Sequence, residues 1–124
     1  MAILPPAVID YLAAYQTGNT NRLHECIAPN VSYLNVTDQG GVRAGGSRGV
    51  AEIIEGVHEV LADVRLTITE QRVDDGIVRL AGFLDATSKL TVIGGFQYGQ
   101  RVHLPIRLAM KVENNRIVKL FESS

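Results

Sequence analysis

The chain has 124 residues and a mass of 13.5 kDa, enough for one domain with a real core and too few for two. Apolar residues make up 46% and charged residues 20%, the balance of a globular protein rather than a disordered or fibrous one. Twelve Lys and Arg against thirteen Asp and Glu leave a formal charge of -1, and no basic run offers the stripe that counterion release on a nucleic acid requires.

The N-terminal segment Met1 to Pro6 lacks the basic stretch and long apolar run of a signal peptide, and no stretch is apolar enough to span a bilayer, so a cytoplasmic location is expected. Pro5 and Pro6 suit a first helical turn, and Val8, Ile9, Leu12 and Tyr15 then recur on one side until Gly18 ends the helix. Asn19 and Thr20 can cap a short second helix, Asn21 to Ile27, which Pro29 and Asn30 terminate. The lone Cys26 within it can form no internal disulfide and has no second thiol for zinc, so it reads as a buried, inert side chain. Val31 to Thr37 has the β-branched and aromatic content of a strand, and Asp38-Gln39-Gly40-Gly41 and Gly45-Gly46 read as one long loop after it. Ser47 is a candidate cap for a third helix in which Val50, Ile53, Ile54, Val57 and Leu61 repeat at the spacing of one buried face.

From Val64 the period changes to two, and Asp74-Asp75-Gly76 supplies the turn of a hairpin whose return strand runs from Ile77 to Leu90. Thr91 to Gly99, with three glycines, reads as a connection or bulge. Gln100 to Val112 and Ile117 to Glu122 then form a last hairpin around Glu113-Asn114-Asn115-Arg116. Helices first and hairpins afterwards specify an α+β fold, a strongly bent antiparallel sheet with the helices against one face.

Several short stretches carry a family resemblance. Tyr11 to Asn19 resembles the first helix of ketosteroid isomerases, and Ile27-Ala28-Pro29-Asn30-Val31-Ser32-Tyr33 their passage into the first strand. Gly46 to Ile54 is similar to their glycine-led third helix, and Gly99-Gln100-Arg101-Val102 and Asn115-Arg116-Ile117-Val118 to SnoaL-like strand patterns. The chain thus resembles, along nearly its whole length, the nuclear-transport-factor-2-like superfamily of SnoaL-like polyketide cyclases and ketosteroid isomerases. That resemblance implies a cone-shaped fold with a pocket between sheet and helices, and a homodimer. It leaves the reaction open, because the fold hosts isomerases, cyclases, hydrolases and non-catalytic binding modules.

The resemblance puts the isomerase acid or base at Asn35, which cannot take up a proton near neutral pH, and the second family carboxylate at Arg107, which inverts the charge. Arg107 in a pocket suits a ligand carboxylate, enolate or phenolate; the alternatives are a salt bridge with Asp85 or an outward position if the strand phase slips by one residue. Tyr11 aligns with the isomerase tyrosine that donates to an oxyanion, although an aromatic at such a position is also simply core. Asp85, the carboxylate inside the apolar stretch Leu80 to Ala86, and His103, of the same parity as Arg107, are the candidate proton carriers. Tyr15, Tyr33, Asn35, His58 and Phe83 are expected to line the substrate pocket, with His58 at the edge of the third helix's apolar stripe. Three scattered histidines make no metal site, and the glycines form no dinucleotide fingerprint, so neither metal nor cofactor is expected. The expected partner is a hydrophobic or anionic small molecule, turned over by an enzyme or held by a binding module.

Overall fold

Pro6 opens α1 (Pro6–Thr17) in the computed structural model, which describes residues 4–37, 40–91 and 95–123. Gly18 closes the helix at φ 76°, a left-handed turn that glycine adopts without penalty, its amide donating to the Ala14 carbonyl. The second helix is shorter than the spacing predicts: the Asn21 amide is taken up by the Asn19 side chain, and α2 spans only Leu23–Cys26. Strand pairing then takes over at once, so β1 (Ile27–Thr37) begins before Pro29 rather than after it.

The predicted glycine loop is in part a strand. Gly40–Gly45 forms β2, an edge strand antiparallel to β1 with Ser32 opposite Gly45 and Leu34 opposite Arg43. Backbone hydrogen bonds need no side-chain pattern, which is why a glycine-rich segment without strand propensity pairs here. Asp38 and Gln39 of the expected turn, and residues 92–94 of the later connection, lie outside the described residues. The third helix, α3 (Gly46–Val60), follows β2 directly; Gly45 stands at its cap and Ser47 makes no capping hydrogen bond, because the end of β2 already sets the helix start. Gly46 has φ 75°, and a Cβ there would come within 2.7 Å of the Pro29 carbonyl oxygen, so close approach of helix and strand requires glycine. The stripe on α3 is the expected one as far as Val57, with Val50 and Ile54 buried and Ile53 and Val57 against the core, but Leu61, expected to complete it, lies past the helix end in extended backbone and opens the next strand.

Two hairpins complete the chain, β3 (Leu61–Asp74) with β4 (Ile77–Ser88) and β5 (Arg101–Glu113) with β6 (Arg116–Ser123). The six strands form one sheet in the order β2-β1-β6-β5-β4-β3. Every pairing is antiparallel except that of β1 with β6, so the antiparallel sheet expected from the hairpins acquires one parallel seam where the chain's last strand returns beside its first. That seam sets Tyr33 beside Leu120 and Asn35 beside Glu122.

The two faces of the sheet differ sharply. Val78, Leu80, Leu84 and Ala86 of β4 and Val102, Ile106, Leu108 and Met110 of β5 point inward and join the helices in a common core with Tyr11, Ile27, Ile117 and Leu120. The residues of opposite parity, among them Arg79, Phe83, Asp85, His103 and Arg107, point outward. On β3 a bulge at Thr69, between the Ile68–Gly82 and Glu70–Ala81 pairs, reverses the phase, so that Glu70 and Arg72 stand outside and Leu66 and Ile68 inside. Gly82 lies opposite that bulge, where any Cβ would run into the Thr67 carbonyl oxygen. Among the described residues no helix is long and apolar enough to cross a membrane.

Candidate functional site

Residues two apart on a strand share a face, so Tyr33 and Asn35 of β1 both point inward, and the parallel seam adds Glu122 of β6 at the same level. The Tyr33 hydroxyl donates to Glu122 Oε2 at 2.6 Å. Asn35 Nδ2 donates to the Tyr33 hydroxyl at 3.1 Å and to Glu122 Oε2 at 3.3 Å. One carboxylate oxygen is therefore held by two donors. The other, Oε1, has no protein partner among the described residues, and Glu122 is 7% exposed.

Helix α1 supplies the remaining groups. Tyr11 and Tyr15, one turn apart, are both buried, with ring centroids 6.3 Å apart and planes at 59°. Neither hydroxyl has a hydrogen-bond partner among the described residues. No side-chain nitrogen or oxygen among those residues is both sealed from solvent and unpaired. His58 of α3 fixes the end of this helix, its Nε2–H donating to the Tyr15 carbonyl at 2.7 Å while its ring covers Gly18.

Burial sets the electrostatics of the cluster. It raises the Glu122 carboxyl above its ordinary value of 4.5, and the Tyr33 hydrogen bond offsets part of the rise. Burial, followed by the negative charge of Glu122, pushes the phenols of Tyr11, Tyr15 and Tyr33 up. All three therefore remain hydrogen-bond donors at any ordinary pH. Such a set can accept a proton on one buried carboxylate and donate hydrogen bonds to an oxygen that gains charge.

The sequence-predicted residues divide between the two faces. Tyr11, Tyr15, Tyr33 and Asn35 meet in the inner cluster, and His58 braces it from α3. Asp85, His103, Phe83 and Arg107 stand on the outer face. Asp85 and His103 are opposite one another across β4 and β5, and His103 Nδ1 lies 2.6 Å from Asp85 Oδ1, so the carboxylate's partner is this histidine and not Arg107. Phe83 stacks on the His103 ring with centroids 4.6 Å apart. Arg107 lines a groove of about 720 Å³ on the outer face together with Arg72, Arg79 and Phe121.

Glu122 is the member that sequence reasoning missed. Its signal was parity: on β6 it follows Leu120 by two residues, which assigns it to the inner face despite its charge. Cys26 is buried, its thiol directed at the Leu23 carbonyl and pushed up to about 11 by burial, and takes no part in the cluster. Among the described residues no group of three His, Cys, Asp or Glu gathers as metal ligands.

A model of the SnoaL-like domain matches residues 8–120. No curated protein matches the chain in sequence. Among solved structures, it is similar to a SnoaL-like polyketide cyclase from Agrobacterium tumefaciens, with a TM-score of 0.76 and 18% identity over 98% of this chain and 91% of that one. A protein of ketosteroid isomerase-like fold from Catenulispora acidiphila, in complex with trimethylamine, superposes with a TM-score of 0.78 at 17% identity, covering 97% and 85%. An LEH-like epoxide hydrolase from M. tuberculosis gives 0.73 at 18% identity, covering 96% and 80%. At these identities the likeness is one of fold.

Proposed function

Since the chain belongs to the SnoaL-like domain family, we propose that its inner cluster is the proton-handling site of a cofactor-independent enzyme acting on a carbonyl-bearing or phenolic small molecule. The observation that carries this reading is a buried carboxylate with one oxygen held by Tyr33 and Asn35, the other unpartnered among the described residues, and two phenols beside it in the same condition. In the proposed step Glu122 Oε1 takes the proton from the carbon next to a carbonyl. The C–H electron pair moves into the new carbon–carbon double bond, and the carbonyl π pair moves onto oxygen, which accepts a hydrogen bond from Tyr11 or Tyr15. Returning the proton to a different carbon isomerises the substrate. Handing that proton from Glu122 to a neighbouring hydroxyl as it departs expels water and dehydrates the substrate, and attack of the enolate carbon on a second carbonyl, whose oxygen takes the proton back from Glu122, cyclises it.

A second reading, a non-catalytic binding or assembly module, is favoured by Asn35 standing where the resemblance expects the family's acid. Deuterium exchange separates the two. With 2-tetralone in heavy water, the enzyme reading expects exchange of the ketone's α-protons above the buffer rate, lost in Glu122→Gln. Binding of 2-tetralone without added exchange establishes the module instead. A homodimer belongs to the same proposal. We place its contact on the outer face around Phe83 and Pro105, where Asp85 and His103 hold each other at 2.6 Å. Light scattering at twice the 13.5 kDa chain mass is the expected result.

A further inference from the structure

The outer-face groove has no part in the proton-handling cluster, and its residues are set by strand register. Ser123, Arg107, Ala81 and Glu70 form one row across β6, β5, β4 and β3, and Phe121, Ala109, Arg79 and Arg72 form the next. Ala81 and Ala109 make a low floor between taller neighbours, which is how a flat sheet face acquires a hollow of about 720 Å³. That volume lies within the ~300–1,000 Å³ of ordinary small-molecule sites.

Arg72 and Arg79 are directly opposite one another, and Arg79 and Arg107 are diagonal neighbours, on the same face and all exposed. Like charges so placed repel. None of the three has an ion-pair partner among the described residues; Glu70 is the one carboxylate in the lining, and it is paired with none of them. In a chain of formal charge -1 this is a local concentration of cations, not a general excess. An isologous contact with a second copy over this spot would set three guanidiniums against the same three. An anion removes the repulsion, and two guanidiniums at diagonal spacing can fork a single carboxylate. Phe121, 41% exposed at the end of the row, offers a flat apolar surface beside them.

We propose that this groove binds a planar aromatic carboxylate, its carboxylate held by Arg79 and Arg107 and its ring lying over Ala109 and Phe121. The site is separate from the inner cluster and stands whether or not that cluster is catalytic. The test is titration of the full chain with 2-naphthoate, followed by calorimetry and by the methyl resonances of Ala81 and Ala109. The neutral 2-naphthalenemethanol and a hexaglutamate peptide serve as controls. Binding of one 2-naphthoate that shifts both alanine methyls, weakens about tenfold or more in Arg79→Gln and in Arg107→Gln, and persists in Glu122→Gln is expected. These arginines are solvent-facing, so the variants should fold, and an unchanged melting midpoint checks that they do. Equal affinity in the arginine variants, loss of binding in Glu122→Gln, equal binding of the neutral alcohol, or binding of hexaglutamate alone would each overturn the proposal. So would a dimer whose contact buries the groove and excludes the ligand.

Discussion

The two faces of one sheet hold similar polar groups under opposite conditions. Inside, Glu122 is 7% exposed and is held by a phenol at 2.6 Å. Outside, Asp85 makes a contact of the same length with His103, but their side chains are 43% and 63% exposed. Distance alone does not distinguish these pairs; the surrounding medium does. Water screens the outer pair, whereas the inner carboxylate, largely removed from solvent, leans on two fixed donors at one of its oxygens. The same difference separates tasks: an interior group with a displaced proton affinity suits acid–base chemistry, and an open row of guanidiniums suits holding an anion.

The largest effect should come from Glu122→Gln, which keeps the shape and removes the proton acceptor. If the inner cluster is catalytic, α-proton exchange of 2-tetralone falls by about 10²- to 10⁴-fold, the usual contribution of a positioned general base. Loss of exchange in Asp85→Asn or His103→Gln, with Glu122→Gln still active, would reverse the assignment of the faces. Stability should move the other way. Because burial raises the folded-state proton affinity of Glu122 above its ordinary 4.5, the wild type loses stability as pH rises from 4.5 through the folded value, and the amide variant does not. Urea unfolding should therefore find Glu122→Gln the more stable protein at neutral pH, with the gap closing below pH 4.5.

Tyr33→Phe tests the donor side. A hydrogen bond to a buried charge contributes about 1.5–3 kcal/mol, so the variant should lose that much at neutral pH and less in acid, where the carboxyl is protonated. A loss independent of pH would mean that Tyr33 matters only for packing. Gly82→Ala probes what keeps the faces apart. A methyl group there meets the Thr67 carbonyl opposite the bulge that turns Glu70 and Arg72 outward, and a cost of about 1–3 kcal/mol in chemical unfolding is expected. Cross-peaks placing Arg72 against core methyls in this variant would show that the bulge sets the phase.

The fold was largely legible because its signals are redundant along the chain. Pro6, the Val50–Ile54–Val57 stripe and the turns at Asp75-Gly76 and Asn114-Asn115 each mark an element independently, and the family resemblance orders them. β2 was not legible, since its pairing resides in backbone groups that glycines supply without a side-chain pattern. Phase decided the site. On β5 the alternation of Val102, Leu104, Ile106 and Leu108 with Arg101, His103, Pro105 and Arg107 assigns the polar set to the outer face. A family resemblance matches positions without regard to face, and it drew Arg107 toward the pocket. On β4, Leu80 to Leu84 is apolar at both parities, and the pattern there is silent about Asp85. The seam between β1 and β6 is the contact no local pattern could reveal, because Asn35 and Glu122 are 87 residues apart and meet only when the last strand inserts beside the first.

The smallest expected effect is the most direct check on the outer face. Asp85→Asn removes a carboxylate at 2.6 Å from an imidazole nitrogen, a distance that in the interior would signal a strong interaction. With both partners open to water, the charge is already well solvated and the pair gives up little when broken. A change of about 0–1 kcal/mol is expected, shrinking further in high salt. Phe83 stays stacked on His103 without the carboxylate, because that contact rests on apolar area and not on charge. A loss of several kcal/mol, insensitive to salt, would mean that the pair is shielded in the working protein, as a second copy seated over Phe83 and Pro105 would shield it, and the loss should then depend on protein concentration.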